Sequence, residues 1–525
     1  MAVTHQERNF VVIEIGGYTT KALRDTTDVN ILPSVEIRTR AGILKQEAEK
    51  ADEAASPLDK SSEQESKLQK QQDQGQEHTR EQTKEQQEQA AAALSPPPPP
   101  ASTESENEGT DSQEKDAEKK DDPAAPGSST KDTDEPAEPS YIFGTALETI
   151  DPGLLEATVD IIQAGRVQDW DLLSALLRHI LVKELGIRIS DNYCPIMFSV
   201  PPQWSKVDHE ALTQVAFEDL NAPSVEIMEQ PLLAVYGNGA ISGLVVDFGH
   251  SVTTVSAVVD NCIVYNSVAQ STIAGSAVTE RLRELLDADE GLRAQMDGEH
   301  VSLDFAQAVK ESGLCKFQLL SGTGVSNGKA SASGTSASSS SVTAAAAAAA
   351  DSEAAQQEGN NSGNGGNGAS DVPSFKYLGK KYTLPRDVLH KAPEILIRSP
   401  PTHVPLVSLM KQAVLACDLE RRASLWESIH VVGGSSQFAG IKGFLQFELE
   451  TTVLPTSNIF ANSQSREIKF ASLPEYFVGW RNRGHWSAFL GACIVAKITL
   501  NDSRHNVTRI EYNENGPSII HTKSF

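Results

Sequence analysis

Two stretches of this chain set a carboxylate against a glycine turn. In VVIEIGGYTTKAL, Val11 to Leu23, an apolar run ends at Glu14 and the turn follows at Gly16 and Gly17. In LVVDFGHSVTTVSAV, Leu244 to Val258, the acid is Asp247 and the glycine is Gly249. Apolar runs on either side of a short glycine-bearing turn predict strand, tight turn, strand. Such a turn exposes backbone N–H groups that can cradle a phosphate, and a carboxylate beside it can hold a hydrated divalent cation. Two such hairpins facing each other would clamp a nucleotide. Each part also has a plainer reading. Carboxylates at turns often satisfy the backbone, Gln230 could be a helix residue bonded to backbone, and Lys21 could be a surface lysine at a strand start.

The surrounding pattern shows what would position these residues. Tyr193 to Val200 (YCPIMFSV) reads as a buried strand ending at Pro201-Pro202. A helix follows, with Ser205 as its N-cap and Ala211, Leu212, Val215, Ala216 and Leu220 on one face. Upstream, Asp171 is placed to cap LLSALLRHILVKEL, an amphipathic helix stopped at Gly186. Ile429 to Val432 reads as a strand leading into Gly433-Gly434-Ser435-Ser436. Strands alternating with helices around a repeated strand–turn–strand unit predict an α/β fold of two related halves.

The chain has 525 residues and a formal net charge of −26. Much of that acidity lies in one low-complexity stretch. An acidic chain lacks the Lys/Arg surplus needed to displace phosphate counterions, so direct DNA binding is not expected; basic protein partners fit better. The five cysteines form no C-x-x-C pair, which suggests reduced core thiols. The polar start MAVTHQERNF has no signal-peptide apolar region, and no run is long and apolar enough to span a membrane. Residues 44–139, rich in Gln, Glu, Lys, Ser and Pro, and 321–372, rich in Ser, Gly, Ala and Asn, have compositions of disordered insertions. They divide the chain into 1–43, 140–320 and 373–525.

Several segments, in order along the chain, resemble the actin family and specifically its divergent actin-related proteins. Asp160 to Leu185 contains GRVQDWD, similar to the family's G-x-V-x-x-W-D pattern. Phe198 to Gly239 is similar to the stretch from the proline-rich loop to the helix before the second phosphate loop. Gly433 to Ser436 resembles the adenosine-contacting GG[ST]T turn, and GPSIIHTKSF is close to a conventional actin C-terminus. The resemblance implies a two-lobed actin-like ATPase fold, a pair of duplicated ribonuclease-H-like domains, with ATP and Mg2+ in the cleft between lobes.

Carried over residue by residue, the resemblance assigns Glu14, Gln230 and Asp247 to the metal–water ligands. Glu14 and Asp247 would hold the metal through water, and Gln230 and Asp247 are what is left of the catalytic set. Gly16, Gly17, Lys21 and Gly249 fall at the phosphates; Gly433, Gly434 and Phe438 at the adenosine; Lys310 and Glu311 on the opposite wall. The departures cluster at the phosphates. Gly17 lacks a serine hydroxyl that the family uses there. Tyr18 stands where the family has glycine, and a ring there could fill the phosphate space. His250 replaces an acid and Thr254 a water-positioning histidine. Hydrolysis needs an oriented water and stabilised phosphoryl charge, so the implied cleft is one with eroded hydrolysis.

The first insertion falls where the family carries its small outer subdomain with the filament-contact loop, so no filament is expected. Long acidic inserts and an eroded cleft resemble the nuclear actin-related proteins of fungal type. Those are subunits of SWI/SNF and RSC chromatin-remodelling complexes, in which an actin-related pair sits on a helix of the motor ATPase. The implied partners are therefore that helix and a second actin-related protein, and the implied location is the nucleus. Leu172 to Leu185 and Trp486 to Lys497 could lend apolar surface to such a groove, although plain core is the simpler expectation for them. Two alternatives are a cytoskeletal relative, such as a dynactin pointed-end subunit in the cytoplasm, and a nucleotide-gated actin-like switch.

Overall fold

The computed structural model describes residues 9–24, 30–45, 141–318, 373–453, 467–500, 502 and 504–523. The expected insertions at 44–139 and 321–372 lie outside the described residues, apart from Leu44 and Lys45.

Both hairpins form where expected. The first is β1 (Val11–Glu14) and β2 (Thr19–Arg24), extended by β3 (Val35–Arg38). Short strands follow: β4 (Arg40–Leu44), β5 (Tyr141–Ile142), β6 (Leu155–Asp160), and the ribbon of β7 (Ile162–Gln163) and β8 (Arg166–Val167). Next come β9 (Ile196–Val200) and β10 (Ser224–Glu229). The second hairpin is β11 (Gly243–Phe248) and β12 (Thr253–Val259), flanked by β13 (Cys262–Ile263) and β14 (Ala269–Ser271). The chain then adds the β15–β16 hairpin (Ser374–Tyr377, Lys380–Thr383), β17 (Ile429–Val432) and β18 (Val507–Thr508).

One unit of the chain comprises Met1–Ala41, Phe143–Glu148 and Val159–Phe525. Its first sheet has the order β18-β10-β9-β1-β2-β3, and its second the order β13-β12-β11-β17, with β14 paired to β12. In each sheet a hairpin lies beside a parallel strand: β1 beside β9, β11 beside β17. This is the expected pair of related halves. Two helices fill the space between the sheets: α3 (Gln230–Gly237) and α8 (Ser487–Thr499). They pack with Val12 and Leu23 of the first sheet and with Val245, Val258 and Val432 of the second in one buried cluster. The helices touch backbone to backbone. A Cβ added at Gly491 would stand 1.9 Å from the Leu233 carbonyl oxygen, and one at Gly237 would stand 2.0 Å from that of Ser487, so only glycine fits. The other face of the second sheet is covered by α6 (Leu406–Leu415) and α7 (Ile441–Val453).

The helix α1 (Trp170–His179) continues as a wider turn to Glu184 and stops at Gly186, φ +64°. Its N-cap is Asp169 rather than Asp171: the Asp169 carboxylate accepts from the Asp171 and Leu172 N–H groups, and Asp171 falls in the first turn. Ser205 does cap α2 (Lys206–Gln214), in a reciprocal box with Asp208. The strand expected from Tyr193 begins only at Ile196. The Asn192 side chain takes the Cys194 N–H, and Pro195 has none to give. Both segments considered for a partner groove are core: Leu172, Leu173, Leu176 and Leu177 are buried, as is most of α8. All five cysteines are free and four are buried.

The second unit, Gly42–Ile142 and Thr149–Thr158, is described separately. Here three strands pair in the order β5-β4-β6. Lys45 closes onto the next turn, its N–H donating to Leu154 O at 3.1 Å and its Nζ to Gly153 O at 2.8 Å. A small three-stranded sheet thus flanks the insertion point.

Candidate functional site

Strand register decides what each acid meets. In the first hairpin Glu14 lies directly across from Lys21, and the two side chains, both buried, pair at 2.6 Å. Only Glu14 Oε1 is engaged; Oε2 is buried without a partner. In the second hairpin Asp247 lies across from Thr254 and beside Val432. No cation stands opposite it. The residue is partly buried at the wall of the cleft, and burial, with the Glu14 charge, pushes its pKa up to about 6, against a smaller opposing effect of Lys21.

The two turns open into one cleft of about 870 Å³, and every site residue assigned from the sequence lines it. Gln230, at the start of α3, donates from Nε2 to the Ile15 carbonyl at 3.0 Å, which ties α3 to the first turn. The turn after β17 is held close to Asp247. Gly433 has φ +86°, and a Cβ there would lie 2.0 Å from Asp247 Oδ1. Ser435 Oγ donates to the Gly249 carbonyl at 3.0 Å, joining this turn to the second hairpin. Phe438 and Gly434 line the same end.

Lys310 and Glu311 lie at the C-terminal end of α5 (Leu303–Glu311). Lys310 Nζ donates to Gly275 O at 3.0 Å and to Thr279 Oγ1 at 2.7 Å, both on α4 (Gly275–Asp287). Burial lowers its pKa to about 8. Burial, then Lys310 and Arg38, lower that of His250 to about 4, so this imidazole is neutral near pH 7. His485, whose carbonyl accepts the Gly433 N–H at 3.1 Å, is lowered to about 4 by burial and by Lys21 and Arg483.

The fit of a nucleotide differs along the cleft. At the turns the rings of Tyr18 and His250 stack with centroids 4.2 Å apart, which fills the space a polyphosphate would use. Phosphates do not fit this arrangement. Glu14 is also poorly disposed for a cation, because its engaged oxygen is paired with Lys21. Among the described residues no group of three or more His, Cys, Asp or Glu could hold a metal.

Sequence reasoning did not find Arg38, Gln307, His485 or Trp486. Arg38 covers a face of Tyr18, Gln307 bonds its hydroxyl, and Lys21 lies 5.9 Å from the Trp486 ring centroid. None sits in a local motif: Arg38 reaches Tyr18 from the neighbouring strand, and Gln307 from far along the chain.

The family profile described as Actin matches residues 7–297 and 374–525. Among similar proteins, "SWI/SNF and RSC complexes subunit arp9" of Schizosaccharomyces pombe is 26% identical over 411 residues, covering 69% of this chain and 78% of that protein. "Actin-like protein 9" of Homo sapiens is 26% identical over 367 residues, covering 70% of this chain and 74% of that protein. "Actin-related protein 7" of Arabidopsis thaliana is 25% identical over 383 residues, covering 70% and 86%. With a profile match over most of its length and two hairpins facing one cleft, the chain belongs to the actin family.

Proposed function

We propose that this chain is a non-filamentous actin-family subunit of a SWI/SNF- or RSC-type chromatin-remodelling complex in the nucleus, a scaffold rather than an ATPase. The observation that carries the reading is the state of the cleft. Its frame is intact, but Tyr18 and His250 stack in its phosphate end, and Thr254 stands across from Asp247 in place of the histidine that would position an attacking water. The fission-yeast relative's name, which assigns that relative to SWI/SNF and RSC complexes, favours this reading over the dynactin alternative.

As a scaffold the chain would brace the helical region of a remodeller's motor ATPase beside a second actin-related subunit. Most of α8 is core, so a partner helix would meet its exposed end, where Ile498 is 69% exposed, and Ile510, 71% exposed. An amphipathic helix laid on apolar side chains is a common mode of such docking. The adenosine end, with Gly433, Gly434, Phe438, Lys310 and Glu311, is the part of the cleft that could still take a nucleotide. Glu14 and Asp247 would hold Mg2+ through water only once the phosphate end is open and Lys21 has moved off Glu14. A nucleotide-gated switch requires the phosphate end to open first.

Affinity purification of the tagged full-length chain, with identification of the co-purifying proteins, tests the function. The expected result is a remodeller motor ATPase with a second actin-related protein. Recovery of dynactin subunits instead overturns it. In a pelleting assay under polymerising salt the chain is expected to stay in the supernatant.

A further inference from the structure

Tyr18 reaches across the cleft. It sits in the turn after β1, and its ring lies against His250 of the turn after β11, planes inclined by 26°. The Arg38 guanidinium covers the opposite face, 3.7 Å from the ring centroid. The phenol hydroxyl donates to Glu311 Oε1 at 2.8 Å and accepts from Gln307 Nε2 at 2.7 Å, both on α5. Arg38 stands 3.7 Å from the same Glu311 oxygen. The ring is therefore held on both faces and at its tip. Its contacts join a turn of the first sheet to a turn of the second and to α5.

The strap lies across the turns, and engages the Glu311 wall, that a nucleotide would otherwise use. Phosphates bind the exposed N–H groups of such turns, yet rings in stacking contact leave no layer between them. The nearby cations are engaged as well: Arg38 by the ring and Glu311, Lys310 by Gly275 O and Thr279. The Glu311 carboxylate, on the adenosine wall, already accepts the Tyr18 hydroxyl. We propose that Tyr18 is the cleft's own ligand, an internal strap that closes the two halves on each other and excludes a nucleotide's phosphates. The exclusion rests on reading the cleft as an ancestral nucleotide site; the closure does not.

The test uses the full-length chain and two readouts. Amide hydrogen exchange reads closure. Tyr18→Phe keeps the ring and loses the hydroxyl, and His250→Ala removes the stacking partner. Each is expected to speed exchange in residues 16–19 and 249–252 by about fivefold or more, the size of one lost hydrogen bond or ring contact. Unchanged exchange in both variants overturns the strap. Thermal unfolding with millimolar Mg-ATP reads exclusion: no shift is expected for the wild type, and a saturable upward shift for Tyr18→Gly. A wild-type shift equal to that of the variant overturns the exclusion. Tyr18→Phe keeps the proposal falsifiable if Tyr18→Gly does not fold. Co-purification with cytoskeletal partners would overturn the function proposed above and leave the strap untouched.

Discussion

The two hairpins are built alike and compensated differently. Each ends a buried strand in an acid, turns on a glycine and returns antiparallel beside a parallel neighbour. Across from the acid, however, one hairpin has Lys21 and the other Thr254. Glu14 is neutralised within its own hairpin. Asp247 has only burial and the more distant Lys21, and its pKa rises to about 6. A carboxylate with a cation opposite it serves the fold. One buried without such a partner is the mark of a site shaped for something else.

The largest expected effect separates the hairpins by stability. Lys21→Met leaves Glu14 buried, uncompensated and near Asp247, and should cost about 3 kcal/mol in urea unfolding. Thr254→Val, at the equivalent register position, should cost less than about 1 kcal/mol. Equal costs would break the comparison. The next effect is in pH. Asp247 has a folded pKa near 6, above its ordinary 3.8, so its protonated form is favoured by folding. Its contribution is complete below pH 4 and is lost as pH rises through 6, by about 3 kcal/mol in all. Asp247→Asn should remove that slope, so the variant gains on the wild type from pH 4 to 7. A parallel pair of pH–stability curves would contradict the assignment.

A smaller effect sharpens the picture at the turns. Tyr18→Phe should lower stability by about 1 kcal/mol. In a double-mutant cycle with Glu311→Ala most of that loss should not add, since the hydroxyl donates to that carboxylate. Fully additive losses would remove the Tyr18–Glu311 bond from the account.

Much of this was legible because its physics is local. Both hairpins follow from apolar runs around glycine, β17 from four apolar-flanked residues before Gly433, the Ser205 cap and the Gly186 stop from cap chemistry. The residues assigned to the cleft from resemblance line one cavity. What was not legible depends on geometry rather than residue type. Asp169 and Asp171 are chemically equivalent caps, and backbone conformation chose the first. The two-residue strand β5 pairs with β4 across the long insertion, and nothing in so short a segment announces that pairing. The Tyr18 bonds to Glu311 and Gln307 join residues nearly three hundred positions apart, so Gln307 carries no signal of its own.

The central claim is that the cleft serves structure and not turnover. Asp247→Asn tests it most directly, because it removes the acid that the resemblance places at a metal and is not expected to destabilise the fold. The measurement is nucleosome sliding by the complex recovered with the tagged chain, variant against wild type at equal motor concentration. The account predicts intact assembly and an unchanged rate. A sliding rate that collapses while the complex remains whole would contradict it.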